Sequence, residues 1–241
     1  MTIGTAPQAG CEWYASQYKW NLRAGNVMVE GTSDVSYFEH CSQLYHARFG
    51  RRLLGIDLSI FAAGYGDDGG TYGVSEKFPT LFNLASLDLD AGGHRRFRTI
   101  ALLDNDRMGH KAIAGITQGH RQIREYESIF SLKRVMPRKS GSIKKLAEHT
   151  RTINAAFSSL DCTIEDLLSD AFCESFVQTM PNAVERAAIS IGGAYHRYWT
   201  NQGKRDLRLS VLRTATFEDM QPMIEVLRSL RTYVGLPADG C

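Results

Sequence analysis

The sequence predicts an α/β protein with a mainly parallel four-stranded sheet, flanking helices and a C-terminal helical extension. Short apolar runs recur in the first part of the chain and are separated by stretches with helical periodicity. Uninterrupted apolar runs are typical of strands that are buried on both faces of a parallel sheet. After Pro137 and Gly141 almost every segment has a helical pattern. We therefore divide the chain into a lead (1–25), an α/β unit (26–136) and a helical extension (137–241) that packs on it.

The lead and the first strand–helix unit define one half of a predicted site. An aromatic cluster in 11–23 is expected to pack on the sheet edge, because aromatic residues are mostly core residues. The first strand, 26–29, ends at Glu30. Helical spacing of apolar residues predicts a helix that extends to about residue 48. Asp34 then lies in the first turn of that helix and faces back towards the strand end.

The second strand, predicted over 58–63, leads into a glycine-rich loop at the same end of the sheet. Such a loop can bring its backbone close to a phosphate, or it can be a plain connection, since it matches no P-loop. Asp67 and Asp68 in this loop are candidate outer metal ligands. A helix is predicted over 74–87, with Pro79 near its start.

The third strand, 99–103, runs directly into Asp104 and Asp106. A helix is predicted over 110–125, and a fourth strand over 129–135. In the extension, helices are predicted over 143–157, 164–177, 183–199 and 217–234.

Two strands that end on acids indicate one shared acidic site, because ligands of open α/β sheets bind outside the carboxyl ends of the strands. Carboxylates held close together need a cation, and their hard oxygen ligands suit Mg²⁺ or Mn²⁺. The alternative is that these acids only cap helices, since helix N-termini favour Asp and Glu.

The two acidic motifs together resemble the pattern of the TOPRIM domain, which topoisomerases, bacterial primases, small ribosomal-RNA maturases and the overcoming-lysogenisation-defect nucleases share. The motifs are Glu30-Gly31 with Asp34, and Asp104-x-Asp106-x-x-Gly109. An Asp-x-Asp after a strand also opens phosphatases of the haloacid-dehalogenase type and many sugar-nucleotide transferases, but the order and spacing of the pair favour TOPRIM. The resemblance covers roughly 26–136 and implies a Rossmann-like fold and a metal-dependent phosphodiesterase.

The resemblance also implies roles for individual residues. Glu30, Asp104 and Asp106 would hold one or two Mg²⁺ or Mn²⁺ ions on the scissile phosphate, and Asp34 would share in a second ion. Glu165 and Asp166 resemble the further acidic position that the overcoming-lysogenisation-defect nucleases use for a second metal. Gly203-Lys204 resembles their carboxy-terminal lysine element, which makes Lys204 a candidate catalytic residue.

Basic residues near the predicted site are candidates for binding nucleic acid. They are Lys111, Lys139, Lys144 and Lys145. If the last three border the acids, they would follow a phosphate backbone and make binding dependent on salt. The alternative is a solvated charged face.

Composition limits the remaining possibilities. The formal net charge is only +2, so a nucleic-acid footprint has to come from local clustering of charge. The cysteines form no Cys-x-x-Cys pair, which argues against a zinc-bearing primase. No leader or membrane span is evident, and we expect a cytoplasmic protein.

The sequence therefore favours a stand-alone TOPRIM nuclease that cleaves DNA, with RNA as the alternative substrate. The resemblance implies that it acts in bacterial antiviral defence. By the same resemblance, an ATPase partner protein would regulate or deliver it. One alternative is a ribosomal-RNA maturase of the same fold. Another is a non-catalytic TOPRIM module that binds nucleic acid or a partner.

Overall fold

Four apolar strands lie side by side in this computed structural model, which describes residues 10–64, 69–139 and 141–241. They are β1 (Gly25–Val29), β2 (Leu58–Ala62), β3 (Arg98–Leu103) and β4 (Ile129–Ser131). Their order is β2-β1-β3-β4, and all neighbouring pairs are parallel. The predicted α/β class with a four-stranded parallel sheet is therefore confirmed.

Helices cover both faces of this sheet. The α-helices of the described ranges are α1 (Gly10–Gln17), α2 (Thr32–Phe49), α3 (Gly70–Leu87), α4 (Arg107–Gly119), α5 (Ile143–Ile153), α6 (Asp170–Thr179), α7 (Asn201–Thr214) and α8 (Gln221–Tyr233). Short 3-10 helices occur at Ala155–Phe157, Ile164–Leu167 and Pro181–Ala183. None of the helices in these ranges combines the length and apolar composition that a membrane span requires.

Successive side chains of the strands pack alternately into two separate hydrophobic cores, one on each face of the sheet. Val27 and Val29 point to the face that α2 and α8 cover, whereas Met28 points to the face that α3 and α4 cover. This alternation follows from the two-residue period of a strand. Because Leu227 of α8 lies in the same core as Phe38 of α2, the C-terminal helices and the sheet share one hydrophobic core.

The aromatic cluster of the lead packs on the edge strand β2, as predicted. The ring of Trp20 stacks on Phe61, with 4.9 Å between ring centroids. Its indole N–H donates to the carbonyl oxygen of Ala62 at 2.9 Å. Trp20 thus occupies part of the outer edge of the sheet.

The helix predicted over 183–199 is wrong. This segment forms an antiparallel hairpin of β5 (Ile189–Ile191) and β6 (Ala194–His196). Gly192 and Gly193 connect the strands with φ values of 61° and 80°, a backbone conformation that favours two-residue hairpin turns and that glycine adopts readily. The helix that does occur nearby, α7, includes Lys204 in its first turn.

Other predicted boundaries also differ, and the helix predicted over 110–125 is α4, which ends at Gly119. The helix predicted over 164–177 is interrupted, because Leu168 is extended and Ser169 starts α6 by accepting a hydrogen bond from a backbone N–H of its first turn. Strand β4 ends at Ser131 rather than at Val135. The interruption turns the short 3-10 helix at 164–167 into an independent element.

The helix predicted over 74–87 begins earlier than expected. Helix α3 starts at Gly70, so Pro79 lies in its interior rather than near its start. Asp67 and Asp68, the candidate outer ligands, lie outside the described residues.

A buried arginine fixes α8 to the start of β2. Arg231 is fully buried, and its guanidinium donates to both carboxylate oxygens of Asp57, at 2.8 and 2.7 Å. It also donates to the carbonyl oxygens of Leu53 and Pro237. A bidentate arginine–carboxylate pair with further acceptors is the geometry that offsets the cost of burying a charge.

Replacing Arg231 by methionine is expected to lower the free energy of unfolding by about 3 kcal/mol or more, because it leaves a partly buried carboxylate without its cation. Partial burial raises the pKa of Asp57, but hydrogen bonds from Arg231 and Cys241 outweigh it and hold the pKa below the usual value. A carboxylate whose pKa is lower in the folded than in the unfolded protein stabilises the fold at pH values above the unfolded-state pKa of about 4. This contribution is lost as the pH falls through the folded-state pKa. The difference between variant and wild type should therefore shrink below about pH 4, as urea unfolding at several pH values would measure.

The matched control is Arg48→Met, because Arg48 forms an exposed pair with Glu218 on the surface. Exposed pairs contribute little, so this variant should unfold almost as the wild type does. Equal effects of the two substitutions would contradict the structural role of Arg231.

Candidate functional site

Glu30 and Asp104 meet at the carboxyl edge of the sheet. Each follows the last residue of a central strand, β1 or β3, and these strands are neighbours. The backbone N–H of Asp104 donates to Oε1 of Glu30 at 2.9 Å. The structure thus brings the first acids of the two motifs into direct contact.

Asp34 joins them from the first turn of α2. Its Oδ2 accepts a hydrogen bond from the backbone N–H of Gly31 at 3.0 Å, which ties the start of the helix to the strand end. Burial, together with the negative charges of Glu165 and Glu30, raises the pKa of Asp34 to about 7. Asp34 is therefore both a helix cap and a member of the acidic cluster.

Asp106 and Gly109 explain the spacing of the second motif. Asp106 is the N-cap of α4, and its Oδ1 accepts a hydrogen bond from the backbone N–H of Gly109 at 2.7 Å. A Cβ atom on Gly109 would lie 2.0 Å from the carbonyl oxygen of Asp104, so only glycine fits there. The capping role that we considered as the alternative is thus real for Asp106, although it uses only one of the two carboxylate oxygens.

A single backbone pairing brings the C-terminal half to the site. Asn105, between the two aspartates, pairs antiparallel with Cys162 through hydrogen bonds of 2.9 and 3.0 Å. The chain then enters the 3-10 helix at 164–167, which carries the buried Glu165. Oε2 of Glu165 lies 3.2 Å from Nζ of Lys204 in α7. The structure therefore brings Glu165 and Lys204 to the cluster.

Negative charge exceeds positive charge in this cluster. Burial and the charges of Asp34, Glu30 and Glu165 raise the pKa of Asp104 well above its usual value, while Lys204 lowers it. Burial also raises the pKa of Glu30, and Asp106 adds to that effect. Partial burial lowers the pKa of Lys204, but the carboxylates outweigh it and raise this pKa above its usual value. Such a set of like charges is stabilised by a further cation.

Donor chemistry at the cluster suits a hard divalent ion, but the ligands are not assembled into a cage. In the described ranges, no three His, Cys, Asp or Glu side chains form a group that could hold a metal ion. Hydrogen bonds occupy one oxygen each of Glu30, Asp34 and Glu165. The second oxygens of these side chains accept no hydrogen bond from the described residues.

Asp166 does not join the cluster, which corrects its assignment as a metal ligand. Its side chain is 1% exposed, and Oδ2 accepts hydrogen bonds from the backbone N–H of Thr163 and from Nδ1 of His196. Oδ1 faces the backbone N–H of Arg197. Asp166 therefore holds the 3-10 helix against the β5–β6 hairpin and has no oxygen available for an ion.

The candidate nucleic-acid contacts are spread over the molecule. The backbone N–H of Lys139 donates to the side chain of Thr232, and α8 ends close to Gly25, the first residue of β1. Lys139 therefore lies towards the amino end of the sheet, opposite the acids, and the premise that this basic run borders them is wrong at Lys139. Lys144 and Lys145 follow in the first turn of α5. Lys111 is exposed in α4, the helix that Asp106 caps.

Sequence reasoning missed the role of Asn105. Its Oδ1 accepts hydrogen bonds from His110, Ser131 and Lys133, and its amide group donates to Leu160. These contacts fix the backbone between Asp104 and Asp106. Except for His110, the partners come from distant segments, so no local pattern in the sequence could have identified them.

No protein-family model, curated protein or solved structure matches this chain. The carboxylate cluster with Lys204 is therefore the main physical basis for assigning a function.

Proposed function

We propose that this protein is a divalent-metal-dependent phosphodiesterase of the TOPRIM type that hydrolyses DNA, with RNA as the alternative substrate. The observation that carries the proposal is the convergence of Glu30, Asp34, Asp104 and Glu165 with Lys204 at the carboxyl edge of the sheet. The residues come from five separate elements of the fold. Helix capping alone gives no reason for Glu165 and Lys204 to be there.

The donor set supports Mg²⁺ or Mn²⁺ as the ion. Glu30, Asp104 and Asp106 would hold a first ion, and Asp34 with Glu165 would provide ligands for a second. A bound ion of this kind lowers the pKa of a water molecule and offsets the charge of the phosphate. The protein supplies the orientation: the hydrogen bond from Asp104 to Glu30 and the cap formed by Asp106 fix the carboxylates on rigid strand and helix ends.

Lys204 has a separate role in this proposal. Its ammonium group lies 3.2 Å from Glu165, and the side chain is 42% exposed, so it can reach an incoming phosphate. A compact ammonium neutralises charge on phosphoryl oxygens without needing a bidentate geometry. Glu165 keeps the lysine charged and oriented until the substrate arrives.

Purified protein incubated with plasmid DNA and with structured RNA tests the proposal. We expect cleavage of DNA in Mg²⁺ or Mn²⁺ and none in EDTA, because without an ion the carboxylates repel the phosphate. Cutting of structured RNA alone, at defined positions, would instead indicate the maturase. Binding of nucleic acid without cleavage under any metal condition would indicate the non-catalytic module.

The resemblance further supports a cytoplasmic role in defence against viruses, with an ATPase partner that regulates or delivers the nuclease. Bacteria that express the wild type or the Asp104→Asn variant, each challenged with phage, would test this role. Equal plaque numbers on the two strains would contradict it.

A further inference from the structure

A small cavity lies on the other side of the second acidic motif. Its volume is about 220 Å³, and it is bounded by the end of β4, by α5 and by the segment that leads to Cys162. The residues that matter for its chemistry are Asn105, Tyr126, Lys133, Arg134, Arg151 and Phe157. Although it adjoins the acidic cluster through Asn105, cations line it, and no Asp or Glu of the described residues does.

The cations of this cavity have few acidic partners. Lys133 and Arg151 form no ion pair within the described parts of the chain. Burial lowers the pKa of Lys133, and the nearby charge of Glu125, which does not line the cavity, only partly offsets this effect. Arg134 donates through its terminal nitrogens to two carbonyl oxygens, but its buried Nε has no partner among the described residues. Asp166 lies 4.0 Å from Arg134 and does not line the cavity. Lys133 and Arg134 are half-buried and Arg151 is exposed at the mouth of the cavity. Partly desolvated positive charge that lacks a paired carboxylate favours an anionic ligand.

More hydrogen-bond donors surround the side-chain oxygen of Asn105 than this oxygen can accept. The described residues that donate to its Oδ1 are His110 at 2.8 Å, Ser131 at 2.9 Å and Lys133. A carbonyl oxygen has only two lone pairs, so one of the three donors is in surplus. Lys133 has the longest and most flexible side chain of the three, and it can therefore turn to a ligand in the cavity at little cost.

Two aromatic residues, Tyr126 and Phe157, also line the cavity. Tyr126 has a φ of 62°, a left-handed conformation that is rare for a bulky residue and that often marks functional sites. Two rings beside a cluster of cations suit a ligand with one flat part and one anionic part.

We propose that this cavity binds a phosphate monoester of the size of a 5′-mononucleotide, with the phosphate on Lys133 and Arg151 and the base against Tyr126 and Phe157. The volume of about 220 Å³ is below the range of roughly 300–1,000 Å³ that is usual for drug-sized ligands, so a single nucleotide is the upper limit for the ligand and a free phosphate also fits. The ligand draws Lys133 away from Asn105, which lies between Asp104 and Asp106. Ligand binding in the cavity therefore changes the hydrogen bonds of the residue that lies between the two aspartates of the acidic cluster.

Isothermal titration calorimetry in EDTA tests the proposal with adenosine 5′-monophosphate, inorganic phosphate and adenosine. We expect the monophosphate and phosphate to bind, and adenosine to bind at least about tenfold more weakly than the monophosphate, because a charged hydrogen bond is lost. Lys133→Met and Arg151→Ala should each lower the affinity for the monophosphate by about tenfold or more. The exposed Arg121, which does not line the cavity, provides the control variant Arg121→Ala.

Binding to the cavity also has a structural signature. The side-chain amide resonances of Asn105 should shift on addition of the monophosphate, since Lys133 leaves its Oδ1. No heat from phosphate or the monophosphate at millimolar concentration would overturn the proposal, as would equal affinity for adenosine or an unchanged affinity in Arg151→Ala. Because EDTA removes any cleavage, these outcomes are independent of whether the protein is a nuclease.

Discussion

Replacing Asp104 by asparagine is expected to lower the turnover of metal-dependent DNA cleavage by at least about 10³-fold, which is roughly 4 kcal/mol of transition-state stabilisation. Asparagine keeps the shape of the side chain and removes its charge. Asp104 lies at the centre of the cluster, where Asp34, Glu30 and Glu165 all act on it. Single-turnover cleavage of plasmid in Mn²⁺ would measure the loss.

The same substitution should stabilise the metal-free protein. Because burial and neighbouring carboxylates raise the folded-state pKa of Asp104, its ionisation destabilises the fold as the pH rises above the unfolded value of about 4. Asparagine does not ionise, so the variant should unfold at a higher temperature than the wild type in EDTA at neutral pH. Mg²⁺ should raise the unfolding temperature of the wild type and leave that of the variant nearly unchanged.

Asp161 provides the control for both measurements, because it is an exposed aspartate close to the site in sequence and structure. Asp161→Asn should cleave and unfold as the wild type does. Full cleavage by Asp104→Asn in Mn²⁺ would contradict the assignment of the metal site. A lower unfolding temperature of this variant in EDTA would contradict the repulsion that we describe.

Glu165→Gln and Lys204→Ala are expected to lower turnover by roughly 10²- to 10³-fold, the usual effect of removing one preorganised electrostatic group from an active site. On the proposed mechanism, both side chains act at the scissile phosphate and make no contact along the rest of the bound nucleic acid. Affinity for DNA in Ca²⁺ should therefore change far less than turnover. Quenched-flow cleavage and fluorescence anisotropy would measure the two quantities separately.

Arg205 follows Lys204 directly in α7 and is exposed, so Arg205→Ala is the matched control. It removes a positive charge from the same helix without touching the cluster. Wild-type turnover in both Glu165→Gln and Lys204→Ala would confine the chemistry to residues 26–136. The C-terminal half would then be a surface for a partner.

The positions of Glu30, Asp104 and Asp106 were predictable because local rules of strand and helix formation determine them. A strand that is buried on both faces is a short apolar run, and Glu30 and Asp104 stand directly after such runs. The spacing from Asp104 to Gly109 also has a local cause, since the cap by Asp106 and the contact with the Asp104 carbonyl oxygen lie within one helical turn. Contacts between residues that are close in the sequence produce a recognisable spacing.

Glu165 and Lys204 could be assigned to the site only by resemblance, because long-range contacts position them. Glu165 reaches the cluster through the pairing of Asn105 with Cys162, which no periodicity indicates. The resemblance selected Glu165 and Asp166 together, yet His196 holds Asp166 away from the site. The helix expected over 183–199 failed for a local reason: a Gly-Gly pair is a stronger turn signal than the helical spacing around it.

The pairing of Asn105 with Cys162 has a consequence for how the protein is made. Ribosomes release a chain from its N-terminus, and at about 5–20 residues per second the segment with Asp104 emerges several seconds before Lys204. A nascent chain that has exposed only the sheet strands has neither Glu165 nor Lys204, and it lacks the strand partner that holds Asn105. On the proposed mechanism, the newly synthesised protein gains its cleavage activity only near the end of translation, so messenger RNA and DNA close to the ribosome are spared while synthesis continues.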